Sequence, residues 1–498
     1  MDFEKIKEQL DIATAKLRNA QDFSQVCEAF KLFNQEYIKL SSRFARLFIG
    51  VYSDVLDQEA AMRYATEVEP ISELMYYIPF AKAVSESAFY DQIVARYGKV
   101  AIRLICSKGE MNAKYDACKD VPDPDEEQQT YQMLSASCGG DYMEHAEEFD
   151  ALLQAIAEKN DAKAKALGYQ NFCDLGNHNN LRFEYDEDDI MRLCEQVRLK
   201  ISPYLNDFRQ RYAGELKNSD FKPKDLVSSM RKMMSKLGSD ASAYWNTMEQ
   251  GGHINCEPSD NKMPGVGLQR FIEEDDVGPI IMSKSDLPKD VMIISHEFGH
   301  SFQEHLAFNA KELALHVLAS TDLMEVSSRT MELYALYFAE DFFDDARAYH
   351  IWELEQMLDS IVGYSVSTVF EHWMYHNVSA SKEDRKAKYI EIYRSFYPFR
   401  ERTDEQIVKE MYSDSPTFFL PKYEFCYVPA WFNALELAVA YGHDPKESYE
   451  RYLALNKDLA FYEYSELLKM YNLHNPFNGE SVDLFLSNAK ALEDILLK

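Results

Sequence analysis

The chain has little of what interrupts helices, with 18 glycines and 16 prolines in 498 residues. Leu, Ala, Glu, Lys and Met are plentiful instead, and this composition favours helices. No run of 18 or more apolar residues occurs, so we expect no helix that spans a membrane. A chain of this length can form two or more domains or lobes.

Positive charge is scarce as well, since 53 Lys and Arg stand against 84 Asp and Glu and the formal net charge is −31. No basic stripe stands out, so nucleic acid is not an expected partner. The acidity is compatible with basic peptides as ligands, but we prefer ordinary solubility as its explanation.

The chain also has no closely paired cysteines, and we expect no secretory leader. The eight cysteines are scattered without a C-x-x-C motif, which is typical of reduced, mostly buried thiols. Residues 1–7 contain no apolar segment of the kind found in secretory signals. These features together predict a cytoplasmic protein.

One H-E-x-x-H pentad lies within an apolar stretch of the chain. On a helix, positions i and i+4 share a face, so His296 and His300 can bind one Zn²⁺. Glu297 can then reach a metal-bound water as the general base. Asp286 and Pro288 predict the start of this helix, as an N-cap and a first-turn proline.

A third ligand is expected further along, because a catalytic zinc site keeps three protein ligands and one position for water. Residues 319–334 predict a helix with Ser320 or Thr321 near its cap. Glu325 lies among apolar positions of that helix and is the candidate ligand. Glu332 lies two turns further on the same face, and either a functional role or a surface charge is open for it.

The H-E-x-G-H form of the pentad, followed by residues 322–328, resembles the thimet oligopeptidase and oligoendopeptidase F family of zinc metallopeptidases. Residues 325–332 are similar to the E-I-H-S-M-S-M-E segment of the oligoendopeptidase branch. The resemblance makes His296, His300 and Glu325 the ligands of one zinc ion, with Glu297 as the base. It implies a mainly α, two-lobed, zincin-type metallopeptidase with a small β-sheet next to the H-E-x-x-H helix and a deep substrate channel.

The chain departs from this family near its C-terminus. Family members carry a His and several Tyr there, which bind the substrate and the tetrahedral oxyanion. If Pro429 aligns with the family proline, Glu424 stands at the His position. The positions expected to hold Tyr are occupied by Trp431, Phe432 or Asn433.

Other residues are candidates for the missing functions. Tyr423 or Tyr427 could donate to the oxyanion, or could pack in the core with satisfied hydroxyls. His443 could be a displaced substrate-binding His. We expect structural positions for three other histidines: His305, His372 and His376. A second metal bound by His372 and His376 is an open alternative.

Helical patterns dominate the rest of the chain. Residues 3–18 and 23–49 predict long helices, whereas residues 119–127, with two prolines and five acids, predict an exposed loop. We divide the chain into an N-terminal helical lobe, residues 1–190, and a catalytic lobe, residues 191–498.

A β-hairpin is predicted just before the pentad. Residues 266–273 and 278–283 are two extended runs, joined by a turn at residues 274–277. An extended peptide can add to the free edge of such a sheet through main-chain hydrogen bonds.

The sequence therefore predicts a zinc-dependent metalloendopeptidase that hydrolyses short oligopeptides. A related zinc carboxypeptidase or dipeptidase is one alternative. Another is a homologue that binds zinc and peptides but is catalytically impaired through its altered Tyr segment, although the intact Glu297 argues against it.

Overall fold

The computed structural model describes residues 1–118, 120–216, 221–262, 267–420 and 422–497. Within these ranges the α-helices are α1 Phe3–Arg18, α2 Phe23–Ser53, α3 Gln58–Met75, α4 Ile78–Ser85, α5 Tyr90–Tyr97, α6 Lys99–Ala117, α7 Asp125–Ser137, α8 Ala146–Ala166, α9 Phe172–Asn179, α10 Glu187–Gln196, α11 Ser202–Arg211, α12 Leu226–Leu237, α13 Ser239–Gln250, α14 Lys289–Ala310, α15 Thr321–Leu336, α16 Ala339–Phe342, α17 Ala346–His376, α18 Lys382–Phe396, α19 Asp404–Asp414, α20 Tyr427–His443, α21 Pro445–Asp458, α22 Tyr464–Met470 and α23 Ser481–Leu497. The strands are β1 Ile254–Asn255, β2 Gly267–Gln269 and β3 Ile280–Met282. Short 3-10 turns occupy Ala314–Val317, Ser415–Phe419 and Glu424–Cys426, and Val197–Ile201 is a π-helical turn.

The first two helices begin where the sequence predicts them because acidic caps precede them. The Asp2 carboxylate accepts from the Lys5 amide, and the Asp22 carboxylate does the same for Gln25. The predicted acidic loop is shorter than expected, because α7 already begins at Asp125. Its first turn is acidic, which favours a helix N-terminus; Lys119 lies outside the described residues.

The sheet has three strands in the order β1-β3-β2. β2 pairs antiparallel with β3, as the predicted hairpin requires, and β1 adds a parallel partner that was not predicted. Both hairpin strands are shorter than their predicted runs, and Val266 lies outside the described residues. Among the described strands β2 pairs on one side alone, so its other edge is free.

Buried apolar side chains form two cores. The first is built from α1 to α6, and it also holds residues 313–315, which follow α14. The second contains α14 and α15 and extends through the remaining helices. Within α6, Ile105 still belongs to the first core, whereas Met111 already belongs to the second. The division into lobes of residues 1–190 and 191–498 stays a prediction.

The eight cysteines are all free thiols. Four are buried, and the other four are half-buried. None of the described helices has the length and apolar character needed to cross a membrane.

Candidate metal centre

α14 carries the pentad and is held at its start by a buried acid. The Asp290 carboxylate accepts hydrogen bonds from the amides of Ser285 and Leu287 and from the Ser285 hydroxyl. The predicted N-cap, Asp286, does not have this role; it adopts a left-handed φ of 57° in the preceding turn. Pro288 stands at the cap position itself, immediately before the helix.

α14 and α15 approach each other closely at Gly299. A Cβ added there would stand 2.6 Å from the Ser328 Cα and 3.0 Å from the Ser327 carbonyl oxygen. The glycine therefore permits a backbone contact that any side chain would obstruct. This contact lies one turn from Glu325 on α15, whose start is capped by the Ser320 hydroxyl, as predicted.

His296, His300 and Glu325 converge on one point between these helices. The two His Nε2 atoms are 3.1 Å apart. Glu325 Oε2 lies 3.5 Å from His296 Nε2 and 3.4 Å from His300 Nε2. Ligands about 2.0–2.1 Å from a tetrahedral zinc would be about 3.3 Å from one another, so the triangle has the right size for that ion. It is the one such group of His, Cys, Asp and Glu side chains found among the described residues.

The electrostatics of this cluster also favour a cation. Burial acts to lower the pKa of His300, yet Glu325 raises it to about 9. Burial acts to raise the pKa of Glu325, but His300 and His296 lower it to about 2. Two neutral imidazoles at this distance would direct lone pairs at each other. A divalent cation removes that conflict, and two His with one carboxylate are donors that suit zinc.

Glu332 is neither a surface charge nor part of the triangle. It is fully buried, and its Oε1 lies 2.6 Å from His296 Nδ1. Arg329 Nη1 donates to both Glu332 oxygens, at 2.9 and 3.0 Å. The guanidinium of Arg329 also lies over the rings of Tyr427 and Trp431. Glu332 thus orients one imidazole, and Arg329 supplies its counter-charge.

Glu297 lies beside β2. A Cβ added at Gly267 would stand 2.8 Å from Glu297 Oε1, so the strand reaches this carboxylate only because the position is a glycine. Burial raises the pKa of Glu297, while the nearby His296 and His300 act against the rise. A carboxylate with a raised pKa is a stronger base than an exposed one, so Glu297 is suited to accept a proton.

Tyr423 and Tyr427 both lie at the centre and are half-buried. The Tyr427 ring centroid is 6.3 Å from that of His296, and the Tyr423 ring stands edge-on to Tyr427 at 6.0 Å. Burial and the charge of Glu325 raise the pKa of both hydroxyls, which keeps them protonated as donors.

The residues at the family's Tyr positions face elsewhere. Trp431 is buried and donates through Nε1 to the Ser360 hydroxyl. Phe432 packs on Phe485, and the Asn433 amide donates to the His474 carbonyl. These three side chains have structural contacts.

A buried charge network anchors the segment before Tyr423. Lys422 adopts a left-handed φ of 60°. Its ammonium lies 2.9 Å from Glu187 Oε1, and its amide donates to Glu371. Arg182 is also buried, and its guanidinium donates hydrogen bonds both to the Lys422 carbonyl and to the Asp322 carboxylate on α15. The position of Tyr423 is therefore tied to the helix that carries Glu325.

The remaining histidines lie outside the centre. His305 pairs with Asp276, and His372 with Glu187. His376 contacts the Asn171 amide, and the described residues give the His372–His376 pair no third ligand. His443 ends α20, whose other end holds Tyr427. The intervening 16 residues span about 24 Å, so His443 cannot replace the family's substrate-binding His.

No model of a protein family and no curated protein matches the chain. Solved structures do match it. A candidate oligoendopeptidase F has a TM-score of 0.88 at 19% identity, and the match covers 99% of this chain and 97% of that one. The chain has the oligoendopeptidase F fold. PZ peptidase A, solved with an inhibitor, has a TM-score of 0.86 at 20% identity, covering 99% of this chain and 98% of that one.

A carboxypeptidase from Deinococcus radiodurans is more distant, with a TM-score of 0.61 at 10% identity over 93% of this chain and 99% of that one. The predicted fold class is confirmed: the chain is mainly α, with a small sheet next to the H-E-x-x-H helix.

Within this oligoendopeptidase F fold, two features were missed from the sequence. Gly267 stands inside a predicted strand, and an isolated glycine there is a signal for close approach of another group. Arg329 gave no local signal, because the rings of Tyr427 and Trp431 that it lies over come from another helix, α20.

Proposed function

We propose that the protein is a zinc-dependent metalloendopeptidase that hydrolyses peptide bonds in short oligopeptides. One observation carries the proposal: the nitrogen and oxygen donors of His296, His300 and Glu325 converge, and the Glu297 carboxylate lies beside them next to a free strand edge. The oligoendopeptidase F fold supports the same conclusion.

His296, His300 and Glu325 would hold the ion, which when bound activates a water molecule and polarises the scissile carbonyl. Glu297 accepts the proton of the attacking water and delivers it to the leaving amine. The free edge of β2 holds the substrate backbone in an extended conformation through main-chain hydrogen bonds.

Tyr427 and Tyr423 are the proposed donors to the oxyanion that forms as water adds to the carbonyl. Both are protonated phenols at the centre, and the network of Lys422 and Arg182 fixes the segment that carries them. A donor held in advance stabilises the developing charge without reorganisation.

Substitution of the general base tests the proposal. Glu297→Gln should lose about 100- to 10,000-fold in kcat on an internally quenched peptide, because general base catalysis contributes that much. Its zinc content, measured by elemental analysis, should equal that of the native protein. Glu257→Gln, at an exposed position, is the matched control. Activity within twofold of the native protein in Glu297→Gln would rule the mechanism out.

A zinc carboxypeptidase or dipeptidase is the second candidate, since the carboxypeptidase shares the fold at lower similarity. Mass spectrometry of the products of a peptide of about ten residues separates the two, because an extended site of that length favours internal cleavage. Release of residues from one end alone would favour the exopeptidase. Zinc and peptide binding without any product would favour the impaired homologue.

A further inference from the structure

Arg270 follows β2 directly and is exposed. Side chains alternate along a strand, and Gly267 and Gln269 face α14, where the Gln269 amide donates to Glu304. Alternation directs Arg270 to the opposite side. There its Cζ lies 4.8 Å from the centroid of the Phe48 ring on α2.

Phe48 belongs to a row of aromatic side chains on one face of α2. Phe44, Phe48 and Tyr52 recur at four-residue spacing, and we refer to them as the α2 aromatic ridge. Neighbouring ring centroids are 6.4 and 4.3 Å apart, and all three side chains are half-buried. A guanidinium over such a ring is held by cation–π attraction while its donors stay open to solvent. The ridge therefore fixes the position of Arg270 in advance.

The charge of Arg270 has no partner in the part of the chain that the structure describes: no carboxylate oxygen lies within 4.0 Å of its nitrogens. Two other arginines of the same region are paired, since Arg43 binds Glu67 and Arg46 binds Glu274. In a chain with a formal net charge of −31, an exposed arginine next to the candidate site would be expected to find an acid. Its five donors are available to a ligand.

Arg270 also acts on groups to both sides of it. Burial raises the pKa of Tyr64 on α3, and the charge of Arg270 acts against that rise. Burial, Glu325 and Cys426 raise the pKa of Tyr423 at the metal centre, and Arg270 again acts against it. Arg270 also acts against the rise in the pKa of Glu297 and of Glu304 on α14, so its charge is felt at the candidate metal centre as well as at α3.

The distance from the metal centre follows from the strand. Gly267 lies beside Glu297, and Arg270 is three residues further, about 10 Å along an extended chain. A peptide paired with the free edge of β2, with its scissile bond at Glu297, brings a group about three residues away to Arg270.

We propose that Arg270, held against the α2 aromatic ridge, binds a carboxylate of the substrate about three residues from the scissile bond. The inference rests on the proposed peptidase function and adds a specificity determinant to it. An Asp or Glu side chain and the peptide's own C-terminus both offer the planar, two-oxygen partner that a guanidinium prefers.

Two sets of peptides distinguish these sources. One is a series of decapeptides in which each position in turn is Glu or Gln, and the other compares free with amidated C-termini. Cleavage sites are mapped by mass spectrometry, and kcat and KM are measured for each peptide. A charge-assisted hydrogen bond at an exposed site gives a preference of about tenfold for the carboxylate. We expect it mainly in KM, and only at positions about three residues from the cleaved bond.

Variants assign that preference to Arg270. In Arg270→Gln the ratio between the paired peptides should fall to about one, and in Arg270→Glu it should invert. Arg18→Gln, at an exposed arginine of α1, is the matched control and should keep the ratio. A ratio near one in the native protein for both sets, or a tenfold ratio that survives in Arg270→Gln, would overturn the inference.

Binding separates this inference from the proposed function. The same peptides, labelled with a fluorophore, are titrated against Glu297→Gln with and without Arg270→Gln, and affinity is read by anisotropy. Carboxylate preference that depends on Arg270, with no hydrolysis by the native protein, would remove the peptidase proposal and support the Arg270 site. Equal affinities in every pair would overturn the site, whatever the hydrolysis result.

Discussion

Glu332 contributes to the candidate metal centre without belonging to the triangle of His296, His300 and Glu325. It accepts a hydrogen bond from His296 Nδ1 and is itself fully buried. An imidazole that donates through Nδ1 presents the lone pair of Nε2, the atom that faces His300 and Glu325. Arg329 donates to both oxygens of Glu332 and so supplies the positive charge next to this buried carboxylate.

Glu332→Gln should weaken zinc binding by about 10- to 100-fold, the usual effect of losing the acid behind a ligating His. Competition with a chromogenic chelator measures the affinity. Glu340→Gln, at an exposed position on α16, should leave it unchanged and serves as the control. An unaltered affinity in Glu332→Gln would mean that the His296 ring is oriented by its packing alone.

Residues that follow helical spacing were predictable, and those that depend on contacts between elements were not. The i, i+4 spacing of His296 and His300, together with the apolar residues around them, predicts two imidazoles on one face of a buried helix, and Glu325 stood out as an acid among apolar positions. The alternatives for Glu332 stayed open because its burial depends on how α15 meets α14. Arg270 gave no signal, since its partner Phe48 is more than 200 residues away in the chain.

Among the elements, the pair α14 and α15 is the most constrained. The two helices contribute all three candidate ligands, and Gly299 allows their backbones to meet at Ser327 and Ser328. Displacement of either helix would change the distances between Glu325 and the imidazoles.

Gly299→Ala should lower the free energy of unfolding by about 1–3 kcal/mol. The added methyl group would overlap the backbone of Ser327 and Ser328, which cannot move without shifting α15. Urea unfolding measures the change, and zinc affinity should fall with it. Gly363→Ala in α17 is the matched control: its nearest neighbour, the Tyr397 hydroxyl, is 3.5 Å away. Alanine loses less backbone entropy than glycine on forming a helix, so Gly363→Ala should be stabilised by about 0.5–1 kcal/mol. If Gly299→Ala were as stable as the native protein, the backbones of α14 and α15 would not be in close contact at this position.

Long helices were easier to predict than short strands for a physical reason. α1 has a capping acid, an apolar stripe and no internal glycine or proline, so its local preferences agree with its packing. β1 has only two residues, too few to show the alternation of apolar and polar side chains that predicts a strand. It forms because it pairs with the edge of β3. The hairpin of β2 and β3 was predicted, but its strands are shorter than expected, and beyond them the pairing is reduced to an isolated bridge between Ile272 and Val277.

At the scale of the whole molecule, the two cores meet where α2 contacts the turn between β2 and β3. The hydroxyls of Ser41 and Ser42 donate to the buried Glu273, and Arg46 binds Glu274 and Asp275 next to it. Burial raises the pKa of Glu273 from 4.5 to about 7, although the serine hydrogen bonds act against the rise.

Stability should therefore depend on pH through Glu273. Between pH 4.5 and 7 the unfolded chain loses this proton while the folded protein retains it, so the folded state becomes less stable as pH rises. Glu273→Gln removes the effect. Relative to the native protein, it should gain about 2–3 kcal/mol of unfolding free energy between pH 5 and pH 8.

Thermal unfolding of both proteins at the two pH values measures this gain, with Glu257→Gln as an exposed control. A difference in Tm between Glu273→Gln and the native protein that is the same at pH 5 and pH 8 would refute the prediction.

Residues 313–315 follow α14 in sequence but pack in the other core, among α1 to α6. Truncation of the chain to the part around the candidate metal centre would therefore expose three apolar residues just beyond α14. A fragment starting after Ile105 would expose this patch, together with the turn between β2 and β3 that α2 contacts, to other molecules. The first hundred residues cover this patch, so a shortened chain meant to keep the candidate metal centre should retain them.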